Sequence, residues 1–340
     1  MMGSDRCFLL VRLGSLGDVI HAIPSAGALR DAFPDARIDW VVSRRWSRLL
    51  EGNRDLNEVV ALDGSSPGAF LDAARRLRTA RYDCAIDFQG LYKSAMLTFA
   101  SGAPKRIGFE SSYAREGLAA HLYTDRLNPR GAHKVEHNLT LAEHVGAVVR
   151  GDAHVSLRFP LAVNREDEER VERELPVHAL HDFFVLNPGG GWQSKCWPAE
   201  RYGELHRILA ARYGWRGVVS VGPGEEDLAR EVVRAAGEPA LVVMSVGLGP
   251  LMALLRRAKF VVSADTGPLH LASALGAPVV GLYGPTDPAR NGPFSRDDVV
   301  VRNLRRAETS YKRGATHAAS MLSITVEQVA AAVAKRLERG

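Results

Sequence analysis

The feature that most limits what this chain can fold into is a repeated pairing of a short apolar run with a following helical pattern. In the first half the runs are "CFLLVRL", "IDWVV", "VVAL" and "CAIDF", each followed by a candidate helix. Unbroken apolar runs of this length suit strands buried on both faces of a parallel sheet, whose neighbours must be joined by helical crossovers. From about residue 152 the rhythm lapses into the proline-bearing, charge-rich "DAHVSLRFPLAVNREDEERVERELPVHALH", which reads as a linker. It restarts with "DFFVLNP", "GVVSVG", "ALVVMS", "FVVSAD" and "PVVGLYG". At 340 residues the chain also exceeds what one core usually supports. The expectation is an α/β protein of two doubly wound units: a first domain over 1–165, a second over 175–322, and a last helix within 323–340. That helix, "TVEQVAAAVAKRLERG", opens on a threonine suited to capping it.

Composition narrows the function. Hydrophobic residues at 46% and charged residues at 24% exclude a disordered or fibrous chain. Lys and Arg number 44 against 39 Asp and Glu, and "SRRWSR" and "RRLRTAR" concentrate positive charge in the first third. Such clusters read either as solvated helix faces or as a surface for an anionic partner; no nucleic-acid partner is called for. Cys7, Cys84 and Cys196 are widely spaced and odd in number, which points to neither a zinc site nor a disulfide framework and suits a reducing compartment. The first residues carry too short an apolar run for a signal peptide, and no run approaches the ~18 residues of a membrane span. A soluble, cytoplasmic protein is expected, with a substrate at a membrane surface still compatible.

In open parallel sheets ligands bind beyond the carboxyl ends of the strands, so the strand-to-helix turns carry the chemistry. In "RLGSLGDVIHAIP", Gly14 and Gly17 allow a tight turn, and Ser15 with Asp18 has the spacing of a capping box. Asp18 can therefore cap a helix, accept a proton from a substrate hydroxyl, or do both. In "VLNPGGGWQSKCWPAERY", Gly189 to Gly191 precede Lys195, and bare amides beside an ammonium suit a diphosphate, although a flexible loop would look the same. In "VSVGPGEEDLAR", Glu225 or Glu226 could hold ribose hydroxyls or simply favour a helix dipole. In "FVVSADTGPLHLASALGAPVVGLYGPTDP", a strand ends at Asp265, and Thr266 and Gly267 open a helix carrying His270 in its first turn. Free amides there, with Thr266 and His270, could converge on one anion, or Asp265 and Thr266 could merely cap.

The stretches "RLGSLGDVIHAIP", "NPGGGWQSKCWP" and "SADTGPLHLASALGAPVVGLYGPTDP" resemble the lipopolysaccharide heptosyltransferases, the ADP-heptose-using glycosyltransferases. "IDFQGLYKSA" and "SYAREGLAAHLYTDRLNPRGAHKVEHN" are similar to the heptosyltransferase I branch, which glycosylates the inner Kdo of Kdo-lipid A. The resemblance implies a GT-B architecture, two Rossmann-like domains whose parallel sheets face a central cleft, with a final helix returning toward the first domain. It implies an inverting transfer that needs no metal or other cofactor. Asp18 matches the family's catalytic base, and Lys195 its pyrophosphate-contacting lysine. Asp265, Thr266, Gly267 and His270 match the nucleotide-sugar loop, and Glu225 or Glu226 would hold the ribose. Lys93 and Arg115 match basic positions on the acceptor side, where Arg44, Arg45 or Arg48 would join them in meeting carboxylates and phosphates. The partners implied are a nucleotide-sugar donor and an anionic glycolipid acceptor, reached from the cytoplasm at the inner face of the inner membrane. Two stretches depart from the family: residues 302 to 322 lack the cysteines many relatives carry there, and "GGGWQSK" is richer in glycine. The competing expectations are a related glycosyltransferase with another nucleotide sugar or a later core acceptor, a nucleotide-sugar epimerase, and a non-catalytic binding protein.

Overall fold

The computed structural model describes residues 6–64, 66–149, 153–237, 241–303, 309, 314 and 316–339. The chain divides into two units, Met1–Ala162 and Val163–Gly340.

The first unit is built on six parallel strands: β1 (Cys7–Val11), β2 (Arg37–Ser43), β3 (Glu58–Leu62), β4 (Cys84–Asp87), β5 (Lys105–Phe109) and β6 (Asp125–Leu127). Their order is β3-β2-β1-β4-β5-β6, so the chain switches direction across the sheet between β1 and β4. Val11, at the carboxyl end of β1, lies opposite Val41 on one side and Asp87 on the other. The second unit repeats this plan with β7 (Phe183–Asn187), β8 (Arg216–Val221), β9 (Leu241–Ser245), β10 (Val261–Ala264), β11 (Val279–Leu282) and β12 (Val299–Val301), ordered β12-β11-β10-β7-β8-β9. The apolar runs of the sequence became the central strands because both their faces are covered. Leu9, Val11 and Val41 are fully buried in the first unit, and Phe184, Val262 and Val280 in the second.

The edge strands β6 and β12, and β5 beside the first sheet's edge, escaped the reading of the sequence. β5 opens on the charged pair Lys105 and Arg106, whereas β6 and β12 have only three residues each, none buried. β5 and β6 carry charged residues among their few positions, and the three valines of β12 are too short a run to stand out.

Two elements differ from what the pattern suggested. The helix Leu16–Ala32 looked amphipathic beside its turn, yet every residue from Leu16 to Leu29 except Asp18 is buried, as expected of a helix enclosed on all sides. Within the stretch read as linker, residues 165–177 form a helix of the second unit, with Arg256 and Arg257 paired to its Glu168 and Glu172. The final helix, Val326–Leu337, is built into the second unit's core. Val329 and Val333 are fully buried there, because an apolar face of alanines and valines gains most by covering β11 and β12. Thr325 caps this helix by accepting from the Gln328 amide at 3.3 Å.

Candidate active site

In the first unit the site is built on the turn leaving β1. Gly14 is required there by a close approach, since a Cβ would stand 2.9 Å from the Trp46 Nε1. Asp18 is the third residue of the following helix, and its carboxylate reaches back to accept from the Ser15 amide at 3.3 Å and the Ser15 hydroxyl at 3.0 Å. The acidic half of the expected cap is therefore real. The same Oδ2 lies 2.8 Å from Arg12 Nη2 and 3.8 Å from Arg115 Nη1, and the Asp18 side chain stays 26% exposed. Burial would raise its pKa, but Arg12, His21, Arg115 and the Ser15 hydroxyl outweigh that and hold the carboxyl well below the usual range.

Arg12 was missed in the sequence, where it reads as one charge at the end of an apolar strand. It is 6% exposed, and its other Nη donates to the Phe88 carbonyl, which ties β1 to the loop after β4. Asp87, also unassigned, organises that loop. One carboxylate oxygen accepts from the Gln89 amide at 2.8 Å and the Gly90 amide at 3.3 Å, and the other from Ser94 and Tyr123 hydroxyls at 2.7 Å each. Gln89 Oε1 in turn accepts from the Leu13 amide at 2.7 Å. Gly90, at φ +68°, lets the Ala114–Arg115 backbone pass where a Cβ would lie 3.1 Å from the Ala114 Cα. Arg115 thus reaches Asp18 because Asp87 and Gly90 shape the loop beneath it.

The other basic residues of this unit make contacts of their own. Arg44 pairs with Asp63 at 2.6 Å, and Lys93 donates to the Gly64 carbonyl at 3.3 Å, so both meet one loop. Arg45 lies over the Trp46 ring, 4.5 Å from its centroid. Arg48 pairs with Glu51 at 2.6 Å, away from these contacts.

In the second unit the glycine loop leaves β7. A Cβ on Gly189 would collide with the Glu225 carboxylate, and one on Gly190 would stand 2.9 Å from the Cys196 Sγ and 3.3 Å from the Thr266 Cγ2. The loop is therefore pressed against both other candidate turns. Glu225, whose carboxylate also accepts from the Gly222 amide at 2.8 Å, faces the loop; Glu226 accepts from Gly224 at 3.2 Å and is fully exposed.

Lys195 and Asp265 meet at 2.6 Å. Asp265 is 6% exposed, and its other oxygen is 3.2 Å from His270 Nε2 and accepts from Asn291 Nδ2 at 2.8 Å. Burial pushes the Asp265 carboxyl up, but His270 and Lys195 outweigh it and leave the carboxyl well below its ordinary value. Thr266 precedes the helix Gly267–Ala274, its hydroxyl 3.0 Å from the Ser263 hydroxyl, so the Gly267 end of that helix keeps its amides uncapped by a side chain. Lys195 also lies 4.5 Å from the Trp192 ring centroid. Asn291 was invisible in the sequence because 26 residues separate it from its partner.

Each unit thus carries its candidate groups at the carboxyl ends of its two central strands, with an ionised carboxylate on the first and, on the second, a helix start uncapped by a side chain beside an ammonium. Two doubly wound α/β units of this kind make up the GT-B architecture of glycosyltransferases. Glycosyltransferase family 9 (heptosyltransferase) matches residues 70–319, and the chain belongs to that family. The lipopolysaccharide heptosyltransferase 1 of Pseudomonas aeruginosa is 30% identical over 86% of this chain and 82% of its own length. That of Escherichia coli K12 is 30% identical over 87% and 93%. Among solved structures, a family 9 glycosyltransferase from Veillonella parvula is 23% identical, covers 100% of this chain and 99% of its own, and has a TM-score of 0.85. The Escherichia coli heptosyltransferase WaaC with ADP is 25% identical over 97% and 99%, with a TM-score of 0.78.

Proposed function

We propose that the protein transfers heptose from ADP-heptose to the Kdo of the lipopolysaccharide inner core, with inversion and with Asp18 as general base. The observation that carries this reading is the Asp18 carboxylate, kept ionised between Arg12 and Arg115 at a strand's carboxyl end. The acceptor hydroxyl gives its proton to Asp18 as its oxygen bonds to the anomeric carbon. The bond from that carbon to ADP breaks on the opposite face, and its electron pair leaves with the diphosphate. Lys195 and the amides at Gly267 meet that growing charge, and groups already in place need not reorganise as it develops. Asp265 would hold the sugar and Glu225, the acid that faces the loop, the ribose; His270 steadies Asp265. With an ammonium in this role no metal or other cofactor is invoked.

Arg115, Lys93, Arg44 and Arg45 would meet the acceptor's carboxylates and phosphates, for which the guanidinium fork is shaped. Kdo-lipid A is the acceptor in this reading, met by a peripheral protein at the inner face of the inner membrane. Among the described residues no helix is long and apolar enough to cross a membrane. The relatives named for heptosyltransferase 1 support the assignment of this acceptor.

The test is a transfer assay with ADP-heptose and Kdo-lipid A in the presence of EDTA, following ADP release and product mass. Wild type should turn over, and Asp18→Asn should lose about 10²- to 10⁴-fold in kcat with ADP affinity retained. Turnover unchanged in Asp18→Asn would remove the base. Transfer only to a heptosylated core would move the activity to a later step.

A further inference from the structure

The glycine loop is secured from outside by a part of the chain more than a hundred residues away, and this rests on the donor role just given to Lys195. Glycine loses more backbone freedom on ordering than any other residue. Three glycines in a row should therefore leave Lys195 poorly placed unless something else holds the segment. Gly189 and Gly190 are packed against Glu225, Cys196 and Thr266, but a Cβ on Gly191, the glycine nearest Lys195, would meet nothing within 4 Å.

The segment around 314–318 holds this end of the loop. The Ser194 amide donates to the Gly314 carbonyl at 3.3 Å, and the Ala318 amide returns a bond to the Ser194 carbonyl at 3.4 Å. His317 closes the pair: its Nδ1 is 2.8 Å from the Cys196 carbonyl, and its Nε2 is 2.8 Å from the Gln193 side-chain nitrogen. A carbonyl can only accept, so Nδ1 carries the proton, and neutral Nε2 then accepts from the Gln193 amide group. The two contacts call for the same tautomer. They bracket Lys195, one bond on the residue two before it and one on the residue after it.

We propose that His317 and Gln193 act as positioning residues that hold the 189–196 loop ready, so that Lys195 meets the donor's diphosphate without first being ordered. Gly314, His317 and Ala318, which lie in the stretch where the sequence departs from many relatives, thereby acquire a task at the donor site. A loop ordered in advance strengthens binding by removing an ordering cost. Once the donor is bound the same geometry is reached either way, so the effect falls on KM and spares kcat.

The experiment measures ADP binding by calorimetry, and donor KM and kcat by the transfer assay, for wild type, His317→Ala, Gln193→Met, the double variant and His317→Asn. Gln193 is exposed, so its replacement leaves the fold intact, and thermal midpoints check the others. Loss of one such ordering bond should weaken ADP roughly tenfold and raise donor KM to match, with kcat within about twofold. The double variant should be no weaker than the weaker single one, as for two residues acting as one unit. His317→Asn, which keeps a donor for the Cys196 carbonyl, should recover part of the loss. ADP affinity within about twofold of wild type in both Gln193→Met and His317→Ala would overturn the proposal, as would a fall in kcat with KM unchanged. Failure of wild type itself to bind ADP would instead overturn the donor assignment on which the proposal rests.

Discussion

In the role proposed for it Asp18 must take up a proton, yet it is flanked by cations that favour its ionised form. The two demands are reconciled if proton transfer comes late, when the attacking oxygen has already become acidic. What the cations secure is that the base form is present at every ordinary pH. Arg12 is the strongest of them, so Arg12→Met leaves the burial of Asp18 and removes its main counterweight. The Asp18 pKa then rises, and the acid limb of kcat/KM, lost as pH falls through that pKa, should move to higher pH. A pH–rate profile of the variant beside wild type measures it, and an unmoved acid limb would separate Arg12 from the base. At this scale the sequence showed the residues that sit in glycine turns after apolar runs: Asp18, Lys195, Glu225, Asp265 and His270. It hid Arg12, Asp87 and Asn291, whose meaning comes from partners on other strands or loops. Their neighbours along the chain carry no sign of the contact.

At the scale of elements, position is passed from strand to loop to side chain. Asp87, at the end of β4, fixes the Gln89–Gly90 turn, and Gly90 makes room for the segment that carries Arg115. Gly90→Ala puts a side chain at φ +68°, a conformation that costs about 1–2 kcal/mol, and forces the Ala114–Arg115 backbone away. Acceptor KM should rise several-fold while ADP affinity holds; denaturant unfolding and steady-state kinetics report the two effects. Equal acceptor KM in variant and wild type would mean that Arg115 does not depend on this turn. Most strands were legible because burial writes an unbroken apolar run, but β5 opens on two charges, β6 mixes charged and apolar residues, and β12 is only three residues long. The same logic explains the first helix, whose periodicity is erased by burial on every side.

At the scale of the whole molecule, the proposed function divides the labour of binding between the two units, so ADP should stabilise one of them. At about 100 times its dissociation constant a ligand adds about 2.7 kcal/mol to the state that binds it. Hydrogen exchange with saturating ADP should slow in β7, β10 and the 189–196 loop and stay unchanged in β1 and β4. Equal protection of both sheets would show that the donor site is not confined to the second unit. The shared strand order has a further effect on how such a protein can diversify. In each sheet the reacting groups sit at the one crossing point in the middle, while β3, β6, β9 and β12 end the sheets. Insertions and substitutions at those rims change what is grasped and leave the central aspartates where they are. One inherited frame can thus supply enzymes with different preferences, each altered at its margins.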